Sequence, residues 1–259
     1  RFIKSHISLK GARIMKYLIS MAYDGSKFYG FQRLKNKDTI QKKLEEALSI
    51  IAKKDIKIKG AGRTDKGVHA YDAKATFDLD INIKEYNLKR ALNSLIAPYI
   101  YIKDIKIVNN NFHPRFNCVK KEYIYKINIG EYNPLYTDYY YQPNYKLDIN
   151  KMKECAKIFI GVHNFKNFTS GVRPNYECII YDIDFHINES ILEIKFTGKS
   201  FYRYMVRNLV GAMLDVANNK ASLEEIKKSL DKPEIKRQFK TAIPNGLYLN
   251  KIEYEEETC

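Results

Sequence analysis

The 259-residue chain contains no tryptophan, only four cysteines and five histidines, and markedly fewer acids than bases. Each shortage excludes something. Cys118, Cys155, Cys178 and Cys259 lie far apart with no CxxC pair. That argues against a zinc site and a disulfide framework, and for a reducing compartment, the cytoplasm. The histidines form no metal-type cluster, so no metal is expected. No apolar run approaches the roughly 20 residues of a membrane span, so no membrane partner is expected either. Neither a Walker spacing nor a GxGxxG following a strand occurs, and the glycine-rich stretch 60–70 offers one carboxylate where a Ca²⁺ loop needs several.

What is abundant is positive charge and tyrosine. Lysine and arginine number 45 against 30 acids, a formal charge of +15. Such a field suits a polyanion, of which nucleic acid is the usual one; a lysine-rich composition habit is the plainer alternative. The 21 tyrosines and 13 phenylalanines favour the first reading, because aromatic faces beside cations suit unstacked bases, although most of the rings serve a core.

Residues 1–14 (RFIKSHISLKGARI) form a basic N-terminal extension of open role, organelle targeting included. Patterning begins at Met15. Residues 16–23 read as a strand, followed by a turn at Asp24-Gly25-Ser26. A helix capped by Asp38 or Thr39 carries Ile40, Leu44, Ala47, Leu48 and Ile51 on one face. A short strand, 55–59, leads into the loop GAGRTDKGVHA. Beyond it Ala73, Ala75, Phe77 and Leu79 alternate with polar residues as a half-buried strand. Leu88, Ala91, Leu92, Leu95 and Ile96 mark a second helix stopped by Pro98, and 99–108 a further strand.

The second half repeats this order. Tyr123, Tyr125, Ile127 and Ile129 alternate; Met152, Cys155, Ala156, Phe159 and Ile160 define a helix closed by Gly161. Ile179, Tyr181, Ile183 and Phe185 line one face of a strand answered by Leu192, Ile194 and Phe196. Met205 to Val216 is helical, residues near 222–230 form a short helix, and a last strand starts at Leu247. The expectation is an α+β fold of two ferredoxin-like βαββαβ halves, 15–110 and 111–259, with a central antiparallel sheet and helices outside.

In GAGRTDKGVHA one carboxylate, Asp65, stands between Arg63 and Lys66 and is fenced by Gly62 and Gly67. A glycine-rich turn in which Asp65 caps its own backbone is the plain explanation. The chemical one is that neighbouring cations keep the carboxylate ionised, lower its pKa and leave it able to act as a nucleophile.

The segment GRTDKGVHA closely resembles the signature of the TruA family of tRNA pseudouridine synthases. AYDGSKFYGFQ followed by TIQKKLEEAL resembles that family's opening, and FHPRFNCVKKEYIYKI, LDINKMKECAKIFIGVHNFKNF, GKSFYRYMVRNLVGAML and AIPNGLYL its later blocks, in family order over nearly the whole chain. Two departures are Phe31, where the family usually has tryptophan, and Asn164, where it usually has aspartate.

The resemblance implies an isomerase that detaches uracil from ribose and rejoins it through C5, with no redox cofactor, group donor or metal. It implies Asp65 as nucleophile, attacking either the base or ribose C1′, and Tyr123 as the active-site tyrosine stacked on the flipped uracil. It further implies Arg207 as the basic partner of the nucleophile. Arg63 is placed for RNA contact or base flipping, Leu247 for packing on the target base, and Arg203 shares a helical stripe with Arg207. Without the resemblance, Tyr123 and Leu247 read as core strand residues, Arg63 as a loop arginine on phosphate, and the two helical arginines as a solvated cationic face. The family also implies tRNA uridines 38–40 of the anticodon arm, and a homodimer whose tRNA spans both subunits. Two alternatives stand beside it: a non-catalytic RNA-binding protein on paired RNA-recognition-like sheets, and a uracil-C5 methyltransferase, which would need a cysteine motif that this chain lacks.

Overall fold

A computed structural model describes residues 14–236 and 239–255; the extension 1–14, apart from Ile14, and Cys259 lie outside them. In the first half, strand β1 (Met15–Tyr23) leads to helix α1 (Ile40–Ala52), strands β2 (Lys59–Gly60) and β3 (His69–Leu79), helix α2 (Glu85–Ile96) and strand β4 (Ile100–Val108). Thr39, not Asp38, caps α1, its side chain accepting from Lys42 N. Ile40, Leu44, Ala47 and Leu48 are buried, as the helical spacing predicts. In α2 the inward residues are Leu88, Leu92 and Ile96; Leu95 is 45% exposed, because it sits at the margin of the stripe.

The second half runs β5 (Cys118–Asn128), α3 (Ile149–Phe159), β6 (Gly161–Asn164), β7 (Glu177–Asn188), β8 (Ile191–Gly198), α4 (Met205–Ala217), α5 (Leu223–Asp231) and β9 (Leu247–Tyr254). A capping box between Ser222 and Glu225 starts α5. Ile129 lies past the end of β5 and is exposed. Gly161 (φ +110°) opens the edge strand β6, which four residues without apolar alternation did not announce. In β7 the buried residues are Cys178, Ile180 and Ile183, whereas Tyr181 is exposed. A register shift between Ile180 and Asp182 inserts one residue, so the alternation expected from Ile179 onward changes face part-way along.

Each half has the strand order of a ferredoxin-like unit, β4-β1-β3-β2 and β9-β5-β8-β7, with β6 added at the far edge. The halves share one sheet, ordered β4-β1-β3-β9-β5-β8-β7-β6. The named strands pair antiparallel except at the seam, where β3 and β9 run parallel, His69 opposite Tyr248 and Ala70 opposite Leu249. The sheet is therefore mixed, a correction to the all-antiparallel expectation. The reason is that the strands that meet are the third of one unit and the last of the other. The main apolar core runs through both halves, from Tyr17, Ile19 and Phe77 to Tyr125, Phe196 and Leu209, and Leu18, Val108 and Phe112 form a small second cluster. Among the described residues no helix is long and apolar enough to cross a membrane.

Candidate active site

The loop between β2 and β3 lies at the seam and is held on every side. Phe31 N donates to the Thr64 carbonyl (3.0 Å), Ala61 N to Lys74 O (2.9 Å) and Val68 N to Asp65 O (3.2 Å). The Tyr23 and Thr64 hydroxyls are 2.8 Å apart. Gly67 has φ +82°, and a Cβ there would come within 3.0 Å of the Pro244 ring, so both conformation and space demand glycine. Gly62 is different: a Cβ would meet only the Lys121 ammonium, at an ordinary 3.6 Å. Phe31, in place of the expected tryptophan, is buried with its ring against Gly60.

Loop and second half meet at Asp65. Its Oδ2 accepts from Arg207 Nη1 at 3.3 Å, a contact between residues 142 positions apart. Arg207 occupies the first turn of α4; its Nε donates to the Ala242 carbonyl (2.8 Å), and Ala242 N donates back to Arg207 O (3.0 Å). The guanidinium is thus aimed by backbone and not by a flexible neighbour. Arg203 is not on the helical stripe. It precedes α4, and Tyr204, in the left-handed region at φ 62°, turns the chain between them. Even so, both guanidiniums lie against the Tyr204 ring, 4.8 Å from its centroid for Arg203 and 5.1 Å for Arg207.

Electrostatics correct the expectation for Asp65. Burial raises its pKa above the ordinary carboxylate value, and the charges of Arg207 and Arg203 offset that only partly. The adjacent cations in sequence do not act on it: Lys66 places its ammonium 4.5 Å from the Tyr29 ring centroid, and Arg63 is exposed, with no hydrogen-bond or ion-pair partner among the described residues. The carboxylate is matched by the far half of the chain.

Tyr123 faces inward from β5, only 9% exposed, with Phe201 edge-on at 5.2 Å. Burial, and then the negative charge of Asp65, raise its phenol well above the usual range, so it is neutral at working pH. Leu247 opens β9 opposite Tyr125 and is buried. Arg63, Asp65, Tyr123, Arg203, Arg207 and Leu247 all line one open cleft of about 980 Å³. Every residue singled out from the sequence is therefore in one place.

Tyr204 and Lys121 are among the lining residues that the sequence did not single out. Tyr204 carries no spacing signal, since its role depends on a left-handed turn. Lys121 did leave one: it occupies the inward phase of Tyr123, Tyr125 and Ile127, a charge where the alternation calls for an apolar side chain.

The cysteines supply no competing nucleophile among the described residues. Cys118, Cys155 and Cys178 are buried, and burial raises all three thiols, Cys155 to about 12.

A family model described as tRNA pseudouridine synthase matches residues 19–117 and 155–255. The chain is 41% identical over 244 residues to the tRNA pseudouridine synthase A of Borreliella afzelii (strain PKo), covering 93% of this chain and 99% of that one. It is 38% identical to the protein of that name from Mycoplasma genitalium, again over 93% and 99%. It is 37% identical to that of Mycoplasmoides gallisepticum, over 92% and 90%. A solved Cbf5-Nop10-Gar1 complex aligns with 76% of this chain and 45% of that chain at 11% identity and a TM-score of 0.36, a similarity too remote to bear on the site.

Proposed function

The chain belongs to the tRNA pseudouridine synthase family, and on that premise we propose that Asp65 is the nucleophile with which it isomerises uridine in the anticodon arm of tRNA, at positions 38–40. The observation that carries the assignment is the Asp65–Arg207 pair, 3.3 Å apart across the seam and open to the cleft. It is the one carboxylate among the cleft-lining residues.

The reaction balances within the substrate. The N1–C1′ bond breaks, the base turns, C5 bonds to C1′ and gives up its proton to solvent, and N1 gains one in return. Asp65 bonds transiently to C1′ or to the base while the N1–C1′ bond is open, and that bond breaks again once C5 has taken its place on C1′, which returns the free carboxylate. Arg207 keeps the carboxylate oriented and ionised against the cost of burial. Tyr123, neutral and edge-packed on Phe201, offers its face to the extruded uracil, with Leu247 beneath the opposite side. Arg63, exposed and without a partner among the described residues, contacts RNA at the mouth, and Arg203 supplies charge at the rim.

A homodimer in the cytoplasm completes the reading. The free thiols of Cys118, Cys155 and Cys178 fit a reducing compartment; light scattering and cell fractionation test the two points. The function itself is tested by incubating the chain with uridine-containing tRNA and mapping mass-neutral conversion. Asp65→Asn is expected to abolish conversion while tRNA is still bound. Turnover within about tenfold of wild type, only about 1.4 kcal/mol of barrier, removes Asp65 from the role.

A further inference from the structure

The same cleft is lined by a lysine with no counter-ion among the described residues. The Lys121 side chain stands on β5 two residues before Tyr123, on the same face of the strand, and is only 8% exposed. Its ammonium donates one hydrogen bond, to the Ala61 carbonyl at the start of the catalytic loop (2.8 Å). No carboxylate forms an ion pair with it among the described residues, and no acid other than the Cys118 thiol acts on it electrostatically. An ammonium has three donors, and two here lack a partner among the described residues. Burial lowers the pKa of this lysine. Buried charges are ordinarily paired, since desolvating an ion without a partner is expensive. Nor is the lysine filling space for the loop, since it lines the open cleft.

We propose that Lys121 is the phosphate-binding residue of the cleft floor, taking a non-bridging oxygen of a phosphodiester that flanks the uridine being converted. RNA offers no other full negative charge. The unfilled donors lie beside Gly62, whose missing side chain leaves that edge of the loop open. Arg115 lines the same end of the cleft. The cleft that holds Asp65 is thus lined by basic groups from two elements, Arg207 of α4, which holds the carboxylate, and Lys121 of β5, which takes the backbone of the nucleotide. Fixing the sugar–phosphate while the base turns is what an isomerisation of a detached base requires, because C1′ must remain in place for C5 to return to it. The bond to Ala61 then couples a filled phosphate site to the start of the loop that carries Asp65. This rests on tRNA as substrate but not on which uridine is chosen or on Asp65 as nucleophile.

The test uses tRNA ligated around a segment with a single uncharged methylphosphonate at one linkage beside the uridine that the wild-type chain converts. Affinity is measured in chains carrying Lys121, Lys121→Met, Lys121→Gln or Lys121→Arg. With Lys121, one flanking methylphosphonate is expected to weaken binding about tenfold or more, the size of a lost charge-assisted hydrogen bond. In Lys121→Met the affinity for ordinary tRNA falls by a similar factor, and the same methylphosphonate then changes little, as a double-mutant cycle demands of a direct pair. The slope of log affinity against log salt should flatten by about 0.7–0.9 in Lys121→Met and recover in Lys121→Arg. Lys153→Met, on the outer helix α3, should retain the penalty in full. A methylphosphonate penalty undiminished in Lys121→Met at every flanking linkage overturns the proposal. So does a fall in kcat with affinity and salt slope unchanged, the mark of a lysine that acts on the base or merely props the loop. Lys121→Gln, which retains a donor for Ala61, decides the matter if the methionine variant melts early.

Discussion

Replacing Arg207 with methionine removes the charge that offsets burial of Asp65 while preserving much of the side-chain volume. At 3.3 Å the pair is worth about 5 kcal/mol at an effective dielectric near 20. Arg203 remains and the cleft is open to water, so about half of that, roughly 2.5 kcal/mol, is the expected change in the protonation equilibrium, about seventyfold. The direction follows from linkage. The Asp65 pKa is already raised in the fold, so ionising it costs stability as pH rises through that value. Activity has the opposite sign, because only the carboxylate attacks. In Arg207→Met the acid limb of kcat/KM for pseudouridine formation therefore moves to higher pH. The deficit approaches seventyfold at the acid end and narrows as pH is raised. Arg207→Lys retains the charge but loses the Nε bond to Ala242, so its acid limb should stay near wild type with a uniformly lower kcat. The assay is tritium release from C5-labelled tRNA across a pH series. An Arg207→Met profile parallel to wild type, lower by one factor at every pH, would refute the argument that this guanidinium holds the carboxylate ionised.

Tyr123→Phe retains the stacking face and should bind tRNA within about threefold of wild type, since stacking is worth about 1–3 kcal/mol per base. Its turnover should fall by at least about tenfold through loss of the hydroxyl, and Tyr123→Leu should be weak in both. Equal activity in all three would return Tyr123 to a plain core role. Gly67→Ala, forced to φ +82° against Pro244, should lower stability by about 1–3 kcal/mol in chemical denaturation. A neutral result would show that the loop relaxes there. A chain with Cys118, Cys155, Cys178 and Cys259 all changed to alanine should still convert uridine; loss of activity with the near-UV circular dichroism intact would restore a thiol mechanism.

Local physics made much of this molecule legible from sequence. The apolar stripes of α1 and α4 and the alternation in β3, β5 and β8 are short-range patterns that burial enforces on any chain folding this way. The nucleophile loop could be found because its glycines and single carboxylate are local chemistry. Where an extra residue broke the period, as in β7, or the strand was too short to show one, as in β6, the pattern failed. Other features belonged to the tertiary structure alone. Parallel pairing of β3 with β9 sets Asp65 against Arg207, 142 residues away, and no local rule encodes which strands meet. The direction of the Asp65 pKa came from burial, which the distant arginines offset only partly, and not from Arg63 and Lys66 beside it, because a side chain's solvation depends on what folds over it. The solitary charge of Lys121 is likewise visible only when the strands around it, and the carboxylates that do not reach it, are in place.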